Sequence, residues 1–254
     1  MLDRLLDSAD LAEQLQILAQ SLPMGIWETI YSTFLSTALA YVIGLPLGVI
    51  LVTGEAGGIR PLPGALMKVL NFVINILRSV PFLILMMMVI PLSRLIMGTS
   101  VGTMALIVPL VIAAFPFVAR LVEGSLREAD KGILEAAQSM GCSPFQIVWK
   151  VLLPECLPSL ITGFTTAFIT ILSYGAMAGI IGGGGLGAIA INYGYYRTRL
   201  LVMVVAVVIL VILVQIFQTL GTHFAVALDR RISRNGKKSA RRARRSKADK
   251  AGLS

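Results

Sequence analysis

The sequence predicts an all-α integral membrane protein whose single membrane domain has five transmembrane helices. Apolar residues make up 56% of the 254 residues, charged residues only 14%, and the mean hydropathy is +0.84. Such values leave little room for a water-soluble domain. Each crossing of a hydrocarbon core about 30 Å thick takes about 20 apolar residues, so the chain is long enough for about five crossings. One mostly polar stretch, residues 135–158, lies between long apolar segments.

Residues 1–24 are predicted to form a separate N-terminal, extracytoplasmic segment. Its acidic residues outnumber the single basic residue, Arg4, and Leu11, Leu15 and Leu18 follow a helical spacing. This pattern indicates an amphipathic helix along the membrane surface. The segment lacks the basic start, compact apolar core and small-residue cleavage site of a secretory signal peptide.

The first span is predicted over residues 25–53. Gly44, Pro46 and Gly48 interrupt its second half. These residues bend a helix or let a neighbouring backbone approach closely, and helix packing explains them better than contact with a substrate does.

The second span, residues 66–97, is too long for one straight crossing. Pro81 removes a helical hydrogen bond and predicts a break there. Arg78 either snorkels towards the cytoplasmic surface or faces an aqueous cavity, because a lipid-facing guanidinium is costly. The three methionines at 86–88 are better explained by adaptable packing than by ligand binding. The third span follows over residues 101–122.

The polar stretch predicts a rigid elbow of two short helices within residues 130–154. The first helix stops at Gly141, the residue type that best tolerates a left-handed helix end. Ser143 is placed to cap the second helix, and Pro144 occupies its first position, where a missing N–H costs nothing. That helix is expected to close near Pro154.

The fourth span, residues 159–181, is rich in hydroxyl side chains that a lipid-facing surface does not need. Such groups bond either to their own helix or to another helix. Together they favour a wall that faces a pore or another subunit. They are Thr162, Thr165, Thr166, Thr170, Ser173 and Tyr174.

The glycines of residues 182–185 are predicted to end the fourth span through their backbone freedom. A phosphate-binding loop is rejected, because the run follows a membrane helix and lacks the lysine and hydroxyl that open the next helix in such loops. Residues 192–199 are predicted to be an outer loop or a short interfacial helix. The last span covers residues 200–226, and the basic tail 230–254 is predicted to be disordered.

Charge fixes the expected orientation. With five spans, most basic residues between spans and the whole basic tail fall on one side, which the positive-inside rule assigns to the cytoplasm. The N-terminus is therefore expected outside, and the C-terminus and the elbow inside. The tail is expected to associate with anionic lipid headgroups rather than with nucleic acid.

Catalytic and metal chemistry is not indicated. The intramembrane segments offer no paired acids, no histidine-rich metal set and no serine–histidine arrangement, and His223 is the only histidine. Cys142 and Cys156 have neither metal-ligand spacing nor histidine partners. No cofactor, no metal and no enzymatic activity are expected, which disfavours a membrane-embedded enzyme.

The elbow closely resembles the EAA loop of the inner-membrane permease subunits of bacterial ABC importers of type I. The similarity lies in Glu135-Ala136-Ala137, Gly141 and Leu152-Leu153-Pro154 at their observed spacing. In that family the elbow lies in a groove on a cytoplasmic ATPase and transmits its closure to the transmembrane helices. The residues that this resemblance assigns to coupling are Glu135, Ala136, Ala137, Gly141, Ser143, Pro144, Leu153 and Pro154.

Two further segments resemble a narrower group. Residues 78–82, Arg-Ser-Val-Pro-Phe, are similar to segments of amino-acid permeases, and the Gly-Gly-Leu-Gly ending at residues 184–187 is similar to that of methionine-importer permeases. In those relatives a tyrosine and a methionine before this ending line the constriction of the pathway. The matching positions here are Tyr174 and Met177.

The resemblance implies a permease subunit in the bacterial plasma membrane that takes up methionine. Its implied partners are a separate ABC ATPase dimer, a second copy of the permease, a substrate-binding lipoprotein and the small amino-acid substrate. A permease for another amino acid or a small derivative is the alternative, and a membrane scaffold is a weaker one.

Overall fold

The regular elements of the protein are helical throughout residues 8–229, the part of the chain that the computed structural model describes. Residues 1–7, which begin the predicted N-terminal segment, and the predicted tail 230–254 lie outside this part. The long helices are α1 Ser8–Thr53, α2 Gly64–Ser79, α3 Phe82–Met97, α4 Thr103–Leu126, α8 Leu157–Met177 and α10 Leu200–Leu228. The short ones are α5 Lys131–Ser139, α6 Pro144–Ile147, α7 Leu153–Glu155 and α9 Gly185–Ile189.

Four stretches are long and apolar enough to cross a membrane, and a fifth crossing results if the pair α2 and α3 counts as one span. These two helices are bent by 107° relative to each other. The break falls at Val80 and Pro81, between the end of α2 and the start of α3. It therefore lies at the predicted proline, where the ring removes a backbone donor and disfavours helix for the preceding residue.

The N-terminal segment is not separate from the first span. From Ser8 onward it belongs to α1, which continues through Pro23 to Thr53. The start of α1 is held against the start of α10, because Arg199 forms ion pairs with Asp10 and Glu13. The segment was expected to lie along the membrane surface; instead, its pairing with Arg199, which is distant in the sequence, accompanies a helix that runs on into the first span.

Helix α4 is the centre of the bundle and packs closely on α1. A Cβ at Gly44 would lie 2.6 Å from Val118, and one at Gly48 would lie 2.6 Å from Val122. Because neither contact leaves room for a side chain, the two glycines allow the helix backbones to approach. The structure thus has Gly44 and Gly48 in the helix-packing role that the sequence favours.

The glycine turn, residues 182–185, interrupts the helix as predicted. Gly182 and Gly185 both have positive φ, +86° and +84°. A further helix then begins at once, because α9 and a wide helical turn, Ala190–Tyr195, follow the glycine turn. The sequence predicts only a loop or short helix from residue 192, so this helical segment starts earlier than expected.

The last span is largely unburied within the chain. Only 11% of the most apolar window of α10 is buried, against 61% for α4. A helix that is apolar on all sides yet exposed suits contact with lipid or with another subunit.

Candidate coupling elbow and pathway wall

The first elbow helix, α5, begins and ends with local backbone devices. Asp130 caps it, accepting a hydrogen bond from the Gly132 amide at 2.7 Å. Gly141 follows the helix with a φ of +75°, in the left-handed region. Both ends agree with the prediction, and the next helix begins after only four intervening residues. Glycine adopts the left-handed conformation in this connection without steric cost.

The second elbow helix starts at a reciprocal cap. The Ser143 amide donates to the Gln146 side chain at 2.9 Å, and the Gln146 amide donates to the Ser143 hydroxyl at 3.4 Å. Pro144 takes the first helical position. Serine and glutamine three residues apart form a capping box, which fixes the direction in which the helix leaves the turn.

The second elbow helix is not regular to Pro154, contrary to the expectation. Helix α6 ends at Ile147, a wider π-helical turn covers Val148–Leu152, and α7 carries the chain past Pro154 to Glu155. Proline lacks the amide that would close a regular turn, and widening of the preceding turn accommodates it. The elbow thus leads almost directly into α8.

The elbow is fixed to the spans by buried residues and also carries exposed side chains. Ala137, Ile147 and Leu152 are buried, and Leu152 packs with Val122 and Leu126 of α4 in the main core. Other apolar and acidic side chains of the elbow are exposed, and Phe145 and Trp149 among them line a cavity beside α1. The exposed side chains are Glu135, Met140, Phe145, which is 72% exposed, and Trp149, which is 58% exposed.

A charge network at the end of α4 was missed by the sequence analysis. Glu123, whose side chain is only 10% exposed, pairs with Arg120 at 2.6 Å and with Arg127 at 2.8 Å. Arg120 also donates to the Asn71 side chain of α2 at 2.8 Å, and Arg127 pairs with Glu55 in the loop before α2. The i, i+3 and i, i+4 spacing of these three residues on one helix was the available signal.

The same network stabilises the charged form of the Arg127 guanidinium. Hydrogen bonds from Arg127 to Glu55 and Glu123 raise the pKa of its guanidinium above the ordinary value. A raised pKa keeps the charge, so the pairing is present below the unfolded pKa and is lost only as the pH rises through the higher folded value. The network therefore joins α2 and the loop before it to the end of α4 throughout the neutral range.

The hydroxyl groups of α8 bond to their own helix. Thr162, Thr166, Thr170 and Ser173 each donate to the carbonyl four residues earlier, at 2.8–3.1 Å. Of these four, only Thr170 is half-buried and the others are exposed. Since they recur at helical spacing on one face, α8 presents a stripe of hydroxyl groups. The hydrogen atom of each of these hydroxyls is already donated to the backbone of the same helix.

Tyr174 lies against the break in the second span. Its ring stacks on Phe82, the first residue of α3, with ring centroids 3.9 Å apart and planes 11° apart. Met177 follows one turn later and is 49% exposed. Arg78, before the break, is exposed. The structure thus brings Tyr174 and the Pro81 break together, which sequence spacing alone did not predict.

Side chains that commonly bind metal ions do not cluster within the described part of the chain. Within residues 8–229 no group of three or more histidine, cysteine, aspartate or glutamate side chains is placed to hold a metal ion.

Comparison with known families and proteins gives concordant matches. Residues 44–234 match the family described as binding-protein-dependent transport system inner membrane component. The probable D-methionine transport system permease protein of Vibrio cholerae is 48% identical over 206 residues, covering 81% of this chain and 91% of that protein. The D-methionine transport system permease protein of Escherichia coli is 47% identical over 155 residues, covering 61% of this chain and 71% of that protein.

Solved structures agree with the fold. An inward-facing structure of the MetNI methionine ABC transporter aligns with a TM-score of 0.80 and 45% identity, covering 82% of this chain and 95% of that chain. An amino-acid ABC transporter solved with histidines aligns with a TM-score of 0.67 at 20% identity, which supports the fold alone.

Proposed function

The chain belongs to the family of binding-protein-dependent transport system inner membrane components, and from that membership we propose that it is the permease subunit of an ATP-driven methionine importer. It is a transport subunit of the bacterial inner membrane and leaves ATP hydrolysis to a separate subunit. The elbow carries this proposal: Leu152 fixes it to the third and fourth spans, while Phe145 and Trp149 remain exposed beside the first span.

Coupling is proposed to run through the exposed residues of the elbow. Closure of the ATPase would push on residues 135–149, and the rigid attachment of Leu152 to α4 would pass that movement into the spans. Large exposed aromatic side chains are typical anchors of protein interfaces. The proposed coupling residues are Glu135, Ala136, Ala137, Gly141, Ser143, Pro144, Leu153 and Pro154.

The proposed assembly has two permease copies, two ATPases and a binding protein. One five-span bundle offers only half of a pathway and one docking elbow, so a second copy completes both. The exposed hydroxyl stripe of α8 is the proposed pathway wall, because a surface that faces lipid does not need polar side chains. Its outer end carries the proposed gate, Tyr174 and Met177, beside the break at Arg78 and Pro81.

The proposed orientation places the elbow in the cytoplasm and the N-terminus outside. Arg120, Arg127, Lys131 and Lys150 surround the elbow, and residues 230–254 contribute further lysines and arginines to the same side. Excess basic charge of this kind is retained on the cytoplasmic side.

Methionine is the proposed cargo because the relatives of this chain are named for D-methionine transport and the structural match is a methionine transporter. The test is ATP-dependent uptake of labelled L-methionine and D-methionine into vesicles that hold this chain, its ATPase and its binding protein. An amino-acid competitor panel is included.

Saturable uptake competed by methionine alone is the expected result. Absent methionine uptake with ATP hydrolysis still stimulated by a loaded binding protein would move the cargo to another amino acid or derivative. Failure to capture any ATPase would favour a scaffold.

A further inference from the structure

The first span holds the glycine turn through two side chains. The Gly185 amide donates to a carboxylate oxygen of Glu28 at 2.7 Å, and the Leu186 amide donates to the Thr29 hydroxyl at 2.9 Å. Gly185 and Leu186 are the first residues of α9, where amides have no partner within the helix. Glu28 and Thr29 therefore cap α9 from a different helix.

The start of α4 holds the same turn from another side. The Gly102 amide donates to the Gly182 carbonyl at 3.0 Å. A Cβ at Gly184 would collide with the hydroxyl of Thr103 and lie 2.5 Å from the Glu28 carboxylate. The absence of a side chain at this position is thus what lets Glu28 reach the backbone. The first, third and fourth spans meet at the glycine turn.

The chemistry of Glu28 is unusual for its position. It is the only charged residue between Glu13 and Glu55, and it lies in α1, the longest helix within residues 8–229. An ionisable group within a span is costly and is retained where it has a specific partner. A carboxylate bonded to a backbone amide forms a charge-assisted hydrogen bond, about twice as strong as a neutral one.

We propose that Glu28 is a positioning residue of the translocation pathway. Its carboxylate fixes the glycine turn against the first span, and the turn follows Met177 after a single tight helical turn, Ala178–Ile181. Glu28 thereby sets the position of the gate end of α8. This inference rests on the proposed function, because it assigns the turn a role in transport.

The test compares Glu28→Ala and Glu28→Gln in the assembled importer, with the ATPase and binding protein present. Glu13→Ala is the matched control, since Glu13 lies on the same helix and pairs with Arg199 instead of the glycine turn. Amide exchange in the peptide that contains Gly185 and Leu186 is measured by mass spectrometry. Labelled methionine taken up per ATP hydrolysed is measured in the same preparations.

Glu28→Ala is expected to speed exchange in that peptide about tenfold, as loss of one charge-assisted hydrogen bond predicts, and to lower uptake per ATP. Glu28→Gln is expected to recover part of both effects, because its amide oxygen still accepts the bond. The Glu13→Ala control should leave exchange in that peptide unchanged. If Glu28→Ala does not assemble, Glu28→Gln alone carries the comparison with wild type.

Unchanged exchange in both variants would overturn the proposed contact. Faster exchange with unchanged uptake per ATP would overturn the positioning role and leave a purely structural bond. If the wild-type assembly takes up no methionine, the proposed cargo is wrong. In that case the role of Glu28 is judged from the ratio of binding-protein-stimulated to basal ATP hydrolysis, which replaces uptake as the measured quantity.

Discussion

At the scale of single residues, the carboxylate of Glu123 depends on two arginine partners. It is nearly buried and lies between the guanidinium groups of Arg120 and Arg127. Removing one partner of a buried ion pair leaves an uncompensated charge, which costs far more than breaking an exposed pair. Glu55, which is 44% exposed, makes a contrasting pair with the same Arg127.

We therefore expect Glu123→Gln to destabilise the purified protein by about 2 kcal/mol or more. The matched variant Glu55→Gln should cost less than about 1 kcal/mol, because its pair is largely exposed. Thermal unfolding in detergent, followed at neutral pH, measures both. Equal effects of the two substitutions would contradict the buried role of Glu123.

Tyr174 and Met177 give the residue-scale test of the gate. Removing the Tyr174 ring frees Phe82 at the break, and removing Met177 opens the exposed surface one turn later. The double variant Tyr174→Ala, Met177→Ala is expected to raise basal ATP hydrolysis and to lower methionine uptake per ATP. Leu95→Ala, which truncates a highly exposed residue of α3, is the control. Normal uptake together with unchanged basal hydrolysis would count against the gate.

The sequence predicts some of these residues better than others. Ser143, Pro144 and Gly141 follow from local chain chemistry, which depends only on neighbouring residues. Glu28 and Glu123 do not, because their partners lie in other helices and depend on how the spans pack. The stacking of Tyr174 on Phe82 belongs to the same class, since it joins residues that are distant in the chain.

At the scale of elements, the positions where helices end were easier to predict than those where a helix continues through a proline. Pro81 and the glycine turn end helices because they act on the backbone directly. Pro23 does not end α1, and Pro154 is accommodated in α7 directly after a widened turn. Tertiary contacts on both sides hold the chain helical at these positions, so local propensity alone gives the wrong boundary.

Gly141→Pro is the element-scale test of the elbow. Proline fixes φ near −65°, whereas Gly141 has a φ of +75°, so α5 and α6 can no longer keep their relative direction. Loss of ATPase capture by purified permease is expected, with membrane insertion retained. Gly57→Pro, which meets the same backbone conflict in the loop before α2 at a φ of +86°, is the control and should retain capture. Capture and uptake that survive Gly141→Pro would contradict the coupling role.

At the scale of the whole molecule, the charge is strongly divided along the chain. Residues 230–254 carry 11 of the 22 lysines and arginines but only 1 of the 13 acidic residues, so the remainder has a slightly negative balance. Composition and charge predict a five-span membrane protein and its orientation without any knowledge of packing. They do not predict which helix is central, because α4 and α10 are both apolar enough to span a membrane, whereas α4 is 61% and α10 only 11% buried over the most apolar window.

The orientation can be tested at two exposed sites on opposite ends of the bundle. Thr198 lies in the connection before α10, and Ser139 lies in the elbow. With Cys142 and Cys156 replaced by serine, a membrane-impermeant maleimide applied to intact cells is expected to label Thr198→Cys and not Ser139→Cys. Permeabilised cells should label both, which controls for the reactivity of each thiol. One predicted span, the fourth, separates the two sites, so they lie on opposite sides of the membrane in either orientation. Labelling of Ser139→Cys in intact cells would therefore place the elbow outside and remove it from any ATPase.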